Sequence, residues 1–168
     1  MATLGEFIKE EMSELLTKYG FSEPRTRSGN LWQSAWAGNG KVGLEVGFDE
    51  LEQDYLVFVR FDGGKIPLKY SDHFKGYMSP EEWALDRRGI LEISDILVVR
   101  APAERERLRG RMGRKVVKTT LTEAEQREIL REIGRLLDTY ASDILAGDQS
   151  AFETVRRQAE RRFRGEGE

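Results

Sequence analysis

Apolar and polar positions alternate along three successive runs, residues 30–37, 41–48 and 55–61. In the second run Val42, Leu44, Val46 and Phe48 share one side, and Lys41, Gly43, Glu45 and Gly47 share the other. A period of two with one apolar side is the pattern of a strand that buries one face. In the third run Tyr55, Val57, Val59 and Phe61 alternate with Leu56, Phe58 and Arg60, so both sides carry apolar groups and the strand is expected at the centre of a sheet. The links at 38–40 and 49–54 are too short for a parallel crossover, which predicts an antiparallel meander. Gly38-Asn39-Gly40 supplies residues that tolerate the positive φ of a tight turn. Residues 65–70 predict a fourth strand, confined to an edge because Pro67 has no N–H to donate.

The flanking segments change to a helical period. Thr3 and Glu6 have the spacing of a capping box, and Leu4, Phe7, Ile8, Met12, Leu15, Leu16 and Tyr19 then recur on one face up to a stop at Gly20. Residues 22–28 read as a polar connection. Ser79-Pro80-Glu81-Glu82 predicts another helix start, with Met78 and Trp83 placed as a hydrophobic staple. Residues 90–99 fit a short helix or a buried strand, the spacing of Ile90, Ile93, Ile96 and Leu97 favouring helix slightly. Residues 104–118 are rich in arginine, carry two glycines and offer few apolar groups, so a loop or loosely packed arm is expected. Thr122 and Glu125 form a third capping box, which opens a helix expected over 123–145 with Ile129, Leu130, Ile133, Leu136, Leu137, Tyr140, Ile144 and Leu145 as its apolar stripe. Gly147 and Asp148 separate it from a last helix whose Phe152, Val155, Ala159 and Phe163 share a face. The predicted class is therefore α+β: an N-terminal helix, an antiparallel three- or four-stranded meander, then C-terminal helices covering the sheet. The expectation is one domain over 1–164, with a basic loop or arm near 104–118 and a frayed tail at 165–168.

Charge and composition narrow the chemistry. Lys and Arg number 27 against 30 Asp and Glu, a net charge of -3 that opposes diffuse attraction to nucleic acid. With no cysteine, disulfides, thiolate nucleophiles and thiolate metal sites are excluded. A basic segment followed by an apolar run is missing from the N-terminus, and no apolar run approaches the ~18 residues of a membrane span. A cytoplasmic location without membrane contact is the expectation.

Gly38-x-Gly40-Lys41 shares glycines with phosphate-binding loops, but strand pattern flanks it on both sides, which fits a plain hairpin. His73, the single histidine, lies near Ser71 and Asp72; a triad is assembled in space, so this adjacency carries no catalytic meaning, and a surface loop is expected. Asp49, Glu50, Glu52 and Asp54 make an acidic turn without the glycine and ligand spacing of calcium loops. No cofactor or metal is expected. The densest charge feature is Arg105, Arg107, Arg109, Arg111, Arg114, Lys115 and Lys118, a candidate for phosphate contact that lacks interleaved aromatics. Arg156, Arg157, Arg161, Arg162 and Arg164 form a second basic group. Trp32 and Trp36 share one side of the first strand with Ser34, while Gln33, Ala35 and Ala37 share the other. Core positions are expected for both tryptophans; on an edge strand they would form a protein-binding patch instead.

Tyr19-Gly20-Phe21 closing the first helix, the meander, and Leu136-Leu137-Asp138-Thr139-Tyr140 followed by Ile144-Leu145-Ala146-Gly147-Asp148 and Phe152 resemble a group of small uncharacterised bacterial α+β proteins. Some members of that group lie beside toxin or defence genes. The resemblance implies an immunity or accessory role and supplies no catalytic residues. The functional expectation is a non-enzymatic protein-interaction module with another protein as partner; the alternative is a nucleic-acid-associated protein using 104–118.

Overall fold

The computed structural model describes residues 2–61, 89–112, 120–163 and 165. Along the chain run α1 (Leu4–Glu11), α2 (Ser13–Lys18), β1 (Arg25–Gly29), β2 (Trp32–Gly38), β3 (Gly43–Asp49), β4 (Asp54–Arg60), β5 (Ile90–Glu92), α3 (Ile93–Arg100), α4 (Pro102–Met112), α5 (Glu123–Tyr140), α6 (Ser142–Leu145) and α7 (Gln149–Phe163). The strands form one sheet in the order β1-β2-β3-β4-β5, antiparallel throughout. The α+β class and the meander are as the sequence predicts, with β4 central between β3 and β5.

Register assigns every strand residue to a face, because directly opposed residues point the same way. Ala35 opposes Val46, Ala37 opposes Leu44, Val46 opposes Val57, Phe48 opposes Tyr55, and Leu44 and Val59 are opposed, with Leu91 beyond Val59. All nine side chains are buried and belong to one apolar cluster with Phe7, Ile8 and Met12 of α1, Ile96 and Leu97 of α3, Leu130, Ile133 and Leu137 of α5, and Phe152 and Val155 of α7. The described helices are thus gathered on this one face.

Local chemistry sets the helix ends. Thr3 Oγ1 accepts from the Glu6 N–H and Thr122 Oγ1 from the Glu125 N–H, both boxes being closed by the glutamate. The first apolar stripe is divided by a break at Met12, whose ψ of 18° separates α1 from α2. Phe21 N–H donates to the Leu16 carbonyl and Gly20 N–H to that of Thr17, the reciprocal pair that ends α2. The stripe expected over 123–145 is likewise divided, at Ala141.

Several expectations change. The connection over 22–28 contains the edge strand β1, paired along its length with β2. Residues 90–99 are both things at once: Ile90–Glu92 adds to β4, then Ile93–Arg100 is helical, started where Asp95 Oδ2 accepts the Glu92 N–H at 2.9 Å. The largest change is at 104–112, expected as a loop or arm. It belongs to α4, which opens on Pro102, a residue suited to the first helical position. Leu108 seats it, the one side chain of this helix that enters the core among the described residues. The predicted strand at 65–70, the helix start at Ser79 and His73 lie outside the described residues.

Candidate functional site

The second face of the sheet is built from the alternate residues. Arg25, Arg27 and Gly29 of β1 oppose Trp36, Ser34 and Trp32 of β2; these oppose Glu45, Gly47 and Asp49 of β3; and Glu45, Gly47 and Gly43 oppose Phe58, Leu56 and Arg60 of β4. Trp32 and Trp36 are therefore not core residues. They are half-buried and lie across the sheet from the helices, while Ala35 and Ala37, between and beyond them, take the core. The helix-packed side of β2 lies beneath α1, and there the two alanines share the apolar cluster with Leu4 and Ile8.

Trp32 leans outward. A Cβ placed on Gly29 would come within 2.5 Å of the indole Nε1 and 2.7 Å of Cε2, so the ring lies over the Gly29 backbone on the edge strand. The tight contact explains why the residue opposite Trp32 is glycine. Among the described residues no strand pairs beyond this one, and all five residues of β1 are exposed. The edge is held firmly from behind. Gly5 N–H donates to Thr26 Oγ1 at 3.0 Å, Ser22 N–H donates to the Gly38 carbonyl at 2.8 Å, and the Gly38 N–H donates to Ser22 Oγ at 3.3 Å. At the Gly29–Trp32 end of the sheet, Leu31 and Leu51 are, among the described residues, the large apolar side chains left in solvent, and Glu50 N–H donates to the Leu31 carbonyl, tying the two turns together.

In the middle of this face stands Glu45, 6% exposed, with Trp36 and Phe58 directly across on either side and glycines two residues away in both directions along its own strand. Burial pushes its carboxyl up to about 7, and the positive charge of Arg60 opposes the shift. Nothing in the alternation of 41–48 distinguishes this glutamate from an exposed one. Its neighbours across the sheet, Trp36 and Phe58, come from the two adjacent strands.

The arginine row is brought onto α4 and largely matched with acid. Arg105 pairs with Glu106 at 3.2 Å, Arg107 with Glu104 at 3.3 Å and Arg111 with Glu128 at 3.2 Å, and Arg109 stands 3.8 Å from Glu106. Arg114, Lys115 and Lys118 lie outside the described residues. On α7, Arg156 pairs with Glu153 and Glu160. The acidic turn uses its chemistry internally: Asp49 Oδ1 accepts the N–H groups of Leu51 and Glu52 at 2.8 and 3.1 Å. Among the described residues no group of three or more His, Cys, Asp or Glu is placed to hold a metal ion.

A cavity of about 630 Å³ opens at the turn end of the helix-packed side, between the starts of α1 and α5. Leu4, Phe7, Phe48 and Leu121 give it apolar walls, and Gln33, Gln53 and Gln126 line it with amides. Those amides are already engaged: Gln33 Oε1 accepts the Leu4 N–H, Gln53 Oε1 accepts the Leu121 N–H, and Gln126 Oε1 accepts the Tyr55 hydroxyl. They close the seam between sheet and helices and leave no convergent polar set for a ligand.

Among the described residues no helix is long and apolar enough to cross a membrane. No protein-family model, curated protein or solved structure matches the chain.

Proposed function

We propose that this protein is a non-enzymatic protein-interaction module that engages its partner through the edge of the sheet where β1, Trp32 and Trp36 meet. The observation that carries the reading is that two half-buried tryptophans, on the side of the sheet away from the described helices, stand next to an exposed strand that has no outer partner among the described residues. Indole supplies large contact area at low conformational cost, and it is enriched where binding energy concentrates. An unpaired strand edge supplies main-chain donors and acceptors for a partner. The resemblance to proteins found beside toxin or defence genes supports a partner of that kind, and that part of the reading rests on the resemblance alone.

The nucleic-acid alternative has less behind it. A phosphate-binding surface needs unneutralised cations. Arg105, Arg107 and Arg111 each share a carboxylate on α4 or α5.

The reading is tested by photo-crosslinking in the host cell. A benzophenone amino acid replaces Trp32 or Trp36 in turn, with Gln158 on the exposed side of α7 as control. Protein adducts are expected from positions 32 and 36 and not from 158. Adducts to nucleic acid, or none from either tryptophan position, would reject the interaction reading.

A further inference from the structure

The chain has two asparagines, Asn30 and Asn39, and Asn39 precedes a glycine. That pair can react with itself. The Gly40 nitrogen has no side chain beside it to crowd an approach, so it can attack the side-chain carbonyl carbon of Asn39. A bond forms between this nitrogen and Cγ, and the Cγ–Nδ2 bond breaks. Nδ2 leaves as ammonia, carrying the proton that the Gly40 nitrogen gives up. Water then opens the cyclic imide at one or other carbonyl and leaves aspartate or isoaspartate at position 39. The balance is one water consumed and one ammonia released, with no further reactant.

The folded protein opposes every step of this. Asn39 Nδ2 donates to the carbonyls of Tyr19 and Leu145 at 3.0 Å each, and Oδ1 accepts the N–H groups of Lys41 and Val42 at 2.9 Å each. The main chain is fixed as well, because the Asn39 N–H donates to the Val42 carbonyl at 3.2 Å. Cγ cannot swing towards the Gly40 nitrogen without giving up the Oδ1 contacts. Nδ2 cannot leave while it is held at the ends of α2 and α6. The turn is also seated from outside: a Cβ placed on Gly147 would fall 2.8 Å from Lys41 Cδ, so the lysine stem lies across that glycine.

We propose that Asn39-Gly40 is a modification site held latent by the fold, in which opening of the β2–β3 turn admits deamidation and the product cannot reseat. Aspartate would set a carboxylate against two carbonyl oxygens that now receive Nδ2. Isoaspartate also lengthens the main chain by a methylene. Either way the carbonyls at the ends of α2 and α6 lose their donor, so a transient opening becomes permanent. The inference stands apart from the interaction reading.

The test follows deamidation of the full chain at mildly alkaline pH by mass spectrometry of its peptides. In urea position 39 should convert readily, while Asn30 should lag because the Leu31 side chain crowds its attacking nitrogen. In the folded protein conversion at 39 should be at least about tenfold slower than in urea, since opening a packed turn costs free energy. Gly147→Ala should speed it under native conditions, because its φ of +97° strains alanine and its Cβ would displace Lys41. Leu108→Ala, which loosens α4 far along the chain, should leave the rate unchanged. The deamidated protein, isolated by its extra negative charge, should have lost hydrogen-exchange protection at Lys41 and Val42.

Equal or faster conversion in the folded protein, or none at 39 in urea, would overturn the proposal. Equal acceleration by Leu108→Ala would overturn it by making unfolding of the whole molecule the gate. Full protection in the deamidated protein would show that the product reseats, and would overturn it too. The comparison of folded protein with urea uses the unmodified chain, so it stands even if a variant does not fold.

Discussion

Glu45 is the residue whose surroundings most alter its behaviour. Its carboxyl is held at about 7 against an ordinary 4.5, so the folded protein keeps the proton more tightly than the unfolded chain. Between those two values stability falls as pH rises, and above 7 the full cost of the buried charge remains. Glu45→Gln removes that cost. It should stabilise the protein at pH 8 by on the order of 2–3 kcal/mol, with the gain shrinking to nothing as pH falls below 4.5. Thermal melts across that range check it, and a pH-independent difference would refute it. A second residue-scale expectation concerns Gly29, whose missing side chain admits the Trp32 indole. Gly29→Ala should expel the ring, seen as a red shift of tryptophan emission with the fold retained. A spectrum identical to that of the parent would mean the ring does not rest there.

At the scale of elements, the β2–β3 turn is tied to two helix ends through Asn39. Its Nδ2 donates to the carbonyls of Tyr19 and Leu145 at 3.0 Å each, and its Oδ1 accepts the N–H groups of Lys41 and Val42 at 2.9 Å. One side chain therefore holds the hairpin against the ends of α2 and α6. Asn39→Ala leaves two carbonyls and two N–H groups without this partner and should cost about 2–3 kcal/mol, since each partly buried group left unpaired costs on the order of 1 kcal/mol. Asn39→Asp, which keeps only the acceptor half, should fall between parent and alanine in chemical denaturation. Among the described residues, Leu108 is the one side chain of α4 in the apolar core. Leu108→Ala should cost about 2–5 kcal/mol. It should also open α4 to hydrogen exchange before α5, because the ion pairs that join α4 to α5, Arg111 with Glu128 and Glu104 with Arg135, are surface pairs of small individual worth. Unchanged protection across 102–112 would show that the ion pairs hold the helix by themselves.

Across the whole molecule, the first and last thirds of the chain are fastened by charge on the helical layer. Arg127 reaches Glu10, Glu11 and Glu123, Arg131 pairs with Glu11, and Asp138 receives both Lys18 and the Tyr19 hydroxyl. The two arginines hold the Glu11 carboxyl below its ordinary value. A lowered carboxyl gives stability that is present above the unfolded value and lost as pH falls through the folded one. Glu11→Gln should therefore destabilise at pH 7, with the deficit fading on acidification below 4.5. This is the opposite slope to that of Glu45. Measured together, the two variants separate acid loosening of the helical layer from relief of the buried charge in the sheet. A Glu11→Gln deficit that persists at low pH would mean lost packing rather than lost charge.

The alternation at 41–48 and 55–61, the stripes of α1 and α5 and the three-residue spacing of the capping boxes were legible because each is a local period or a contact within one turn. Those features determined the class, the meander and the buried faces of β3 and β4. Arg25-Thr26-Arg27-Ser28-Gly29 has no apolar period, because an exposed edge buries neither face, so only pairing with β2 makes it a strand. The same holds for residues 104–112, where one leucine meeting a distant core outweighs a composition that reads as loop. Alternation put Trp32 and Trp36 on one side of a strand but could not say which side the helices take. Packing under α1 decided that, since it is the side with the alanines that joins the apolar cluster of the helices. The candidate site is a juxtaposition of β1, β2 and β3, and it exists only once register is fixed.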